Sequence, residues 1–321
     1  MPSPPCFKFE TPIFPDCQAN DINGHGANIR DSVCHMYQRF CSLLLLTGLF
    51  LLSACTSAGI TVANAPVPFF EGTIERDIVF DEESKQTLDI YIPDHATEER
   101  LPVVIFFYGG RWTNGEKGDF AFVGTTLAEE GFIVVIPDYR KYPDVRFPAF
   151  VEDGANAVSW VHKNIGDYRG KPETLFLAGH SSGAHIASLL IVDERYLESD
   201  TNSAIKGFAG LAGPYSFTPK AEDVKIIFGP PSQYPQMQAT TFVDGSEPPM
   251  LLLYGRDDEL VAPYNLERLR RKIEEKGGQV QAKYYSDIGH IEIIGAMSWI
   301  WEYKAPVIDD LTLFFRENSD D

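Results

Sequence analysis

From residue 76 onward, apolar residues follow two rhythms that take turns along the chain. In one they form short unbroken runs; in the other they return every three or four positions. The segments RDIVFDE (76–82) and TLDIYIP (87–93) predict two strands joined by a polar turn, a hairpin. Then LPVVIFFYGG (101–110), FIVVIPDYR (132–140), TLFLAGH (174–180), IKGFAGLAG (205–213), PPMLLLYGRDD (248–258) and VQAKYYSD (280–287) read as six further strands. Between and after them, FAFVGTTLAEEG (120–131), FPAFVEDGANAVSWVHKNI (147–165), SGAHIASLLIVD (182–193), PYNLERLRRKIEEKG (263–277) and PVIDDLTLFFREN (306–318) carry helical spacing. Strands that alternate with helices imply a mostly parallel sheet covered on both faces, and unbroken apolar strands are what such a sheet requires. The expectation is one α/β domain with an eight-stranded sheet over residues 76–321. Residues 213–247, rich in proline and weakly periodic, read as a lid or pocket wall too short for a large cap.

Composition changes this picture in two places. A formal charge of −19 argues against nucleic acid as a partner, because phosphate binding needs clustered Lys and Arg. All five cysteines (Cys6, Cys17, Cys34, Cys41 and Cys55) precede the predicted domain, which therefore holds neither a disulfide nor a cysteine-rich metal site. The last of them ends a distinctive stretch. Arg39 precedes an apolar run, Phe40–Leu52, followed by small residues, the layout of a secretory signal peptide. Leu52-Ser53-Ala54-Cys55 resembles the lipobox of bacterial lipoproteins. That resemblance implies cleavage before Cys55, a lipid on its sulfur, and a place in the bacterial cell envelope at the outer membrane, facing the periplasm. An uncleaved anchor or ordinary secretion are the alternatives, although the run is shorter than the ~18–20 residues a span needs. The organisation expected is an unstructured or mis-called start (1–35), a signal peptide (36–54), a tether (55–75) and the domain (76–321).

The chemistry gathers at predicted strand ends. Gly179-His180-Ser181-Ser182-Gly183 matches G-x-S-x-G between a strand and a helix, the context of a nucleophile elbow. The spacing selects Ser181 as nucleophile and leaves Ser182 to offer its backbone N–H. The match of LLLYGRDDELV to G-x-x-D-x-x-V selects Asp258, with Asp257 and Glu259 read as solvated loop charges. His290 is the histidine that follows Asp258, at the end of a strand. Ser181, Asp258 and His290 thus stand in the chain order of α/β-hydrolases. His180 and His185 lie five apart and do not share a helix face, so no metal site is expected from them.

With these motifs in order, residues 76–318 resemble the α/β-hydrolase fold. YGGRWTNGEKG, PDYRKYP and GHSSGAHIA resemble esterases of the group that includes feruloyl-esterase-like and arylformamidase-like enzymes. The loop Phe106–Trp112 is similar to the HGGxW oxyanion loop, with Tyr108 where histidine usually stands. The resemblance implies backbone donors at Gly110 and Arg111, joined by Ser182. It implies a serine carboxylesterase acting on small-molecule esters and needing no cofactor, and the shortness of residues 213–247 points to short acyl chains. An arylformamidase-like amidase and a non-catalytic membrane-anchored binding lipoprotein are the alternatives. Phe217, Phe228, Tyr234 and Phe242 are expected to wall a compact apolar pocket, closed on its other side by Trp112, with Trp112 and Phe217 against substrate.

Overall fold

The computed structural model describes residues 58–94 and 99–319. Its eight strands are β1 (Gly72–Asp81), β2 (Gln86–Pro93), β3 (Leu101–Phe107), β4 (Ile133–Pro137), β5 (Gly170–His180), β6 (Ile205–Leu211), β7 (Met250–Gly255) and β8 (Val280–Tyr285). They form one sheet in the order β1-β2-β4-β3-β5-β6-β7-β8. β2 runs antiparallel to both its neighbours, and every other pair is parallel. The short polar turn after β1 permits only an antiparallel partner. Parallel pairs need long crossovers, and helices Ala121–Glu129, Ala149–Asn164, Ser182–Val192 and Tyr264–Lys276 supply them. The central strands are covered on both sides: Val103–Phe107 and Ile133–Ile136 are completely buried.

The strand order positions the site. From β3 the chain crosses to β4 on one side, and then returns past β3 to reach β5 on the other. The connections after β3 and β5 therefore leave in opposite directions, which opens a crevice at the carboxyl ends of two adjacent strands. Phe107 pairs with Gly179 at that edge, so Tyr108–Trp112 and Ser181 emerge side by side.

One boundary differs from the sequence expectation. Residues 58–75, read as tether, belong to the same compact unit as the sheet, and β1 starts at Gly72. The Val62 carbonyl accepts the Trp299 indole N–H at 3.0 Å. Asn64 donates to the Asp119 carbonyl at 3.0 Å and accepts the Phe122 N–H at 2.8 Å. Helix Ala121–Glu129 begins after Phe120, which offers no capping side chain. Its first amides have no partner within the helix, and Asn64 satisfies one of them from 58 residues upstream. Hydrophobic periodicity carries no trace of a polar cap donated across the fold. The signal peptide, Cys55 and residues 1–35 lie outside the described residues. Among those described, no helix is long and apolar enough to cross a membrane.

Candidate active site

The elbow is built from tight backbone contacts. β5 stops at His180, helix Ser182–Val192 starts two residues later, and Ser181 between them sits at φ 54°, ψ −123°. A non-glycine residue held there stores roughly 1–3 kcal/mol of strain. The flanking glycines are required. A Cβ on Gly179 would stand 2.6 Å from the Gly183 carbonyl carbon, and one on Gly183 would stand 2.0 Å from the Phe107 oxygen. The helix that follows is buried on every face, so the elbow rests on the core. The Ser181 N–H donates to the Leu211 carbonyl at 2.9 Å, tying the turn to β6.

The three residues selected by the motifs meet here. His290 Nδ1 lies 2.7 Å from Asp258 Oδ2, and His290 Nε2 lies 2.8 Å from Ser181 Oγ. An ionised carboxylate only accepts, so the proton sits on Nδ1 and Nε2 turns a lone pair to the serine hydroxyl. The other carboxylate oxygen, Asp258 Oδ1, accepts the N–H groups of Leu260 and Val261, each at 2.8 Å. Asp258 is buried, whereas Asp257 and Glu259 face solvent. Ser182 is buried as well, with its hydroxyl beside the Tyr139 phenol. As the first residue of its helix, it has an N–H free of intrahelical bonding.

The loop after β3 faces this arrangement. A Cβ on Gly109 would lie 2.8 Å from His180 Nδ1 and 3.1 Å from Ser181 Cβ, so only glycine permits so close an approach. Gly110 turns at φ 151° and accepts the N–H groups of Thr113 and Asn114. Arg111 and Trp112 both adopt positive φ, 58° and 59°. The Arg111 guanidinium forms an ion pair with Asp223 at 2.9 Å. Among the described residues, no group of His, Cys, Asp or Glu side chains is arranged to hold a metal ion.

Two further histidines have structural work that sequence spacing did not reveal. His180 Nε2–H donates to the backbone carbonyl of His290 at 2.9 Å. His290 opens the short helix His290–Gly295 and does not end a strand, so this bond links the elbow to that helix across 110 residues of chain. His185 Nε2–H donates to the Met237 carbonyl at 2.8 Å. Burial is the main cause that pushes His180 down to about 3, with His290 adding to it, and burial likewise pushes His185 down to about 4. Both values fall below the ordinary value of 6.5, so the folded state resists protonation. The stability they contribute is full above about pH 6.5 and is lost as pH falls through their folded values. Between about pH 6 and pH 4.5 the unfolded chain takes up close to two more protons. Unfolding free energy is expected to drop by about 2–3 kcal/mol per pH unit there. Denaturant unfolding at several pH values measures this slope. His185→Gln should reduce it by about half, and an unchanged slope would exclude His185 as a source.

The aromatic residues expected to wall a pocket pack on one another instead. The Trp112 ring stacks on Phe217 at 5.8 Å and meets the edges of Phe228 at 4.8 Å and His185 at 5.3 Å. Trp112 and Phe217 are thus neighbours in one wall and do not oppose each other across an open space. Phe242 lies under the Arg195 guanidinium, 4.9 Å from its ring centre. Among the described residues, no ring contact joins Phe242 or Tyr234 to Trp112. Stacking maximises buried aromatic area, which no count of aromatics in a loop foretells. A separate cavity of about 530 Å³ is lined by residues that include Phe147, Glu152, Arg195, Tyr196 and Gln233, and by none of Ser181, Asp258 or His290.

A family model described as BD-FAE matches residues 88–273, more than half of the chain; the span includes Ser181 and Asp258 and ends before His290. A probable isoprenylcysteine alpha-carbonyl methylesterase of Oryza sativa subsp. japonica is 37% identical over 155 residues, 46% of this chain and 36% of that protein. Esterase LipQ of Mycobacterium tuberculosis is 31% identical over 195 residues, 54% of this chain and 46% of LipQ. The chain thus spans less than half the length of these curated relatives. Among solved structures, a truncated carbohydrate esterase from gut microbiota superposes with a TM-score of 0.69 at 21% identity, covering 78% of this chain and 98% of that one. A Pyrobaculum calidifontis esterase superposes with a TM-score of 0.67 at 18% identity, covering 83% and 93%. At these identities the likeness concerns the fold, and it is the α/β-hydrolase architecture expected from the motifs.

Proposed function

The chain belongs to the BD-FAE family, and from that premise we propose that it is a serine hydrolase of carboxylic esters acting through an acyl-enzyme. The observation that carries this reading is the continuous hydrogen-bonded line from Ser181 through His290 to Asp258, at 2.8 and 2.7 Å. Ser181 Oγ attacks the ester carbonyl carbon while His290 Nε2 takes its proton. The tetrahedral intermediate collapses, the bond to the alcohol oxygen breaks, and His290 returns the proton to the departing alcohol. Water then repeats the sequence on the acyl-serine. Asp258 holds the Nδ1–H tautomer and stabilises the imidazolium. Backbone N–H groups of Gly110, Arg111 and Ser182 receive the oxyanion, and losing one such donor typically costs about 10²–10³ in rate.

The substrate proposed is a small ester with a short acyl group. Trp112 and Phe217 present one apolar wall, and the segment from 213 to 247 folds into two short helices, Glu222–Phe228 and Ala239–Phe242, with a 3-10 turn between them. A segment of that size encloses little volume. Each added methylene gains about 0.8 kcal/mol only while there is room to bury it. For p-nitrophenyl esters of rising chain length, kcat/KM is expected to peak at about two to six carbons and to fall steeply beyond about eight. No rate jump is expected at the solubility limit. A maximum at long chains would replace this reading with that of a lipase, and no turnover with any ester would remove it.

The proposed place of action is the cell envelope, through a lipid on Cys55. Protein expressed in a two-membrane bacterium should incorporate labelled fatty acid and sediment with membranes, and Cys55→Ser should do neither. Label that persists in the variant would sink the lipobox reading.

A further inference from the structure

The loop before the elbow is clamped from behind by a charged cluster that the reaction itself does not use. Tyr108 stands where the resembling esterases carry histidine, immediately before Gly109 and Gly110. Its ring is stacked between Phe120 (5.4 Å) and Tyr139 (4.7 Å) and is completely buried. Its hydroxyl donates to Asp138 Oδ1 at 2.6 Å and accepts from Lys141 Nζ at 2.9 Å. Burial, first, and the neighbouring Tyr139 and Asp138 raise the phenol far above its ordinary range, so it remains a donor. Asp138 is itself anchored, accepting the Lys117 N–H at 3.0 Å. Lys117 Nζ in turn reaches Asp77 at 2.5 Å and the buried Asp89 at 3.1 Å, and Arg76 completes the cluster at 3.2 Å from Asp89.

The same segment after β4 grips both ends of the loop. Tyr139 Oη–H donates to the Tyr108 carbonyl at 2.8 Å, at the peptide that leads into Gly109. The Tyr142 N–H donates to the Trp112 carbonyl at 2.9 Å, where the positive-φ pair Arg111-Trp112 ends. Lys141 also donates to the Tyr139 carbonyl at 2.9 Å, so one ammonium joins the tyrosine of the loop to the segment that clamps it. Backbone donors stabilise an oxyanion only when held in advance to within a fraction of an ångström. Arg111 and Trp112 gain nothing locally from their strained backbone, so the surroundings must hold it.

We propose that Asp138 and Lys141 are positioning residues which, acting through the Tyr108 hydroxyl, hold the Gly109–Trp112 backbone in the conformation that aims its N–H groups at the oxyanion. The catalytic half of this statement rests on the esterase reading; the conformational half does not. Neither side chain touches substrate. The brace therefore affects the step in which charge develops and leaves ground-state binding nearly untouched.

The test compares Tyr108→Phe, Lys141→Met and Tyr108→His with the full wild-type chain. Steady-state kinetics on p-nitrophenyl acetate should show kcat down about 10–100-fold in the first two, with KM within about threefold. This is a fraction of what loss of a whole donor costs. Tyr108→His, which restores a hydrogen-bonding ring at that place, should recover at least half of the loss on a logarithmic scale. Amide hydrogen exchange read by mass spectrometry should speed up at least tenfold at Thr113, Asn114 and Tyr142, whose N–H groups close the loop on the Gly110 and Trp112 carbonyls, in Tyr108→Phe and Lys141→Met. Peptides of the sheet should stay at their wild-type rates, which separates local loosening from unfolding. Unchanged exchange in the loop would overturn the proposal whether or not the protein hydrolyses esters. So would loosening of the loop in a variant whose kcat stays at the wild-type value. A wild-type chain inert toward every ester, with the loop still loosened in the variants, would remove the esterase reading and leave the brace established.

Discussion

Ser181→Ala is expected to lose ester hydrolysis by about 10⁵–10⁶ in kcat, together with all labelling by a fluorophosphonate probe, while Ser182→Ala keeps both within about threefold. The scale of the first effect follows from removing a nucleophile that works as a unit with its base; what remains comes from binding and backbone donors alone. The two serines are adjacent and chemically identical, so the contrast tests geometry. Ser181 carries the strained φ of 54° that lifts its Oγ to within 2.8 Å of His290 Nε2. Ser182 begins the helix with its hydroxyl buried beside the Tyr139 phenol, away from His290. Removing that oxygen takes nothing from the line of Ser181, His290 and Asp258, and the backbone N–H used in the proposed mechanism stays in place. The check is turnover of p-nitrophenyl acetate and probe labelling for both variants. A dead Ser182→Ala beside an active Ser181→Ala would mean that the register of the elbow is wrong.

Asp258→Asn is the second large effect, expected at about 10⁴ in kcat with KM little changed, against less than about threefold for Asp257→Asn. The size is that of an orienting carboxylate replaced by its amide, and the structure explains why the amide cannot compensate. Asp258 Oδ1 accepts two backbone N–H groups, from Leu260 and Val261. An asparagine must place its carbonyl oxygen there, because an NH₂ group facing two donors would forfeit both bonds. Its NH₂ then points at His290 Nδ1 and selects the tautomer with the lone pair on that nitrogen. Nε2 now carries the proton, faces Ser181 as a donor, and cannot take up the serine proton. Asp257 is solvent-exposed, and only its backbone N–H is engaged, with the Ile288 carbonyl. Kinetics of the two variants decide the matter, and a larger loss in Asp257→Asn than in Asp258→Asn would overturn the assignment to Asp258.

Much of this site was legible before any coordinates, because the signals concerned are local. The unbroken apolar runs that end at Tyr108, Gly179 and Gly255 report strands buried on both faces, and all eight strands overlap the runs that predict them, β1 and β5 starting four residues earlier. Gly179 and Gly183 leave no room for a side chain, so a Gly-x-Ser-x-Gly stretch between a strand and a helix describes one backbone shape almost by itself. The choice of Asp258 over its acidic neighbours also followed from spacing, and the burial of that one side chain is the physical counterpart of the spacing. The pocket was read less well. Trp112, expected on the side opposite Phe217 and Phe228, packs against both.

The chain alone therefore determined the order and nature of the elements, the bend that exposes Ser181, and the rank of the three residues along the sequence. Each depends on side-chain volume and backbone freedom within a few positions. Only the folded arrangement decided what those residues lean on. Asn64 caps a helix 58 residues away, His180 holds the His290 carbonyl across 110, and Asp138 and Lys141 reach the Tyr108 hydroxyl from a loop on the next strand. A hydrogen bond between distant segments leaves no period in the sequence. Its partners are fixed by where strand order and crossover handedness bring the loops together, and an asparagine or a lysine that looks solvated in isolation acquires its role only there.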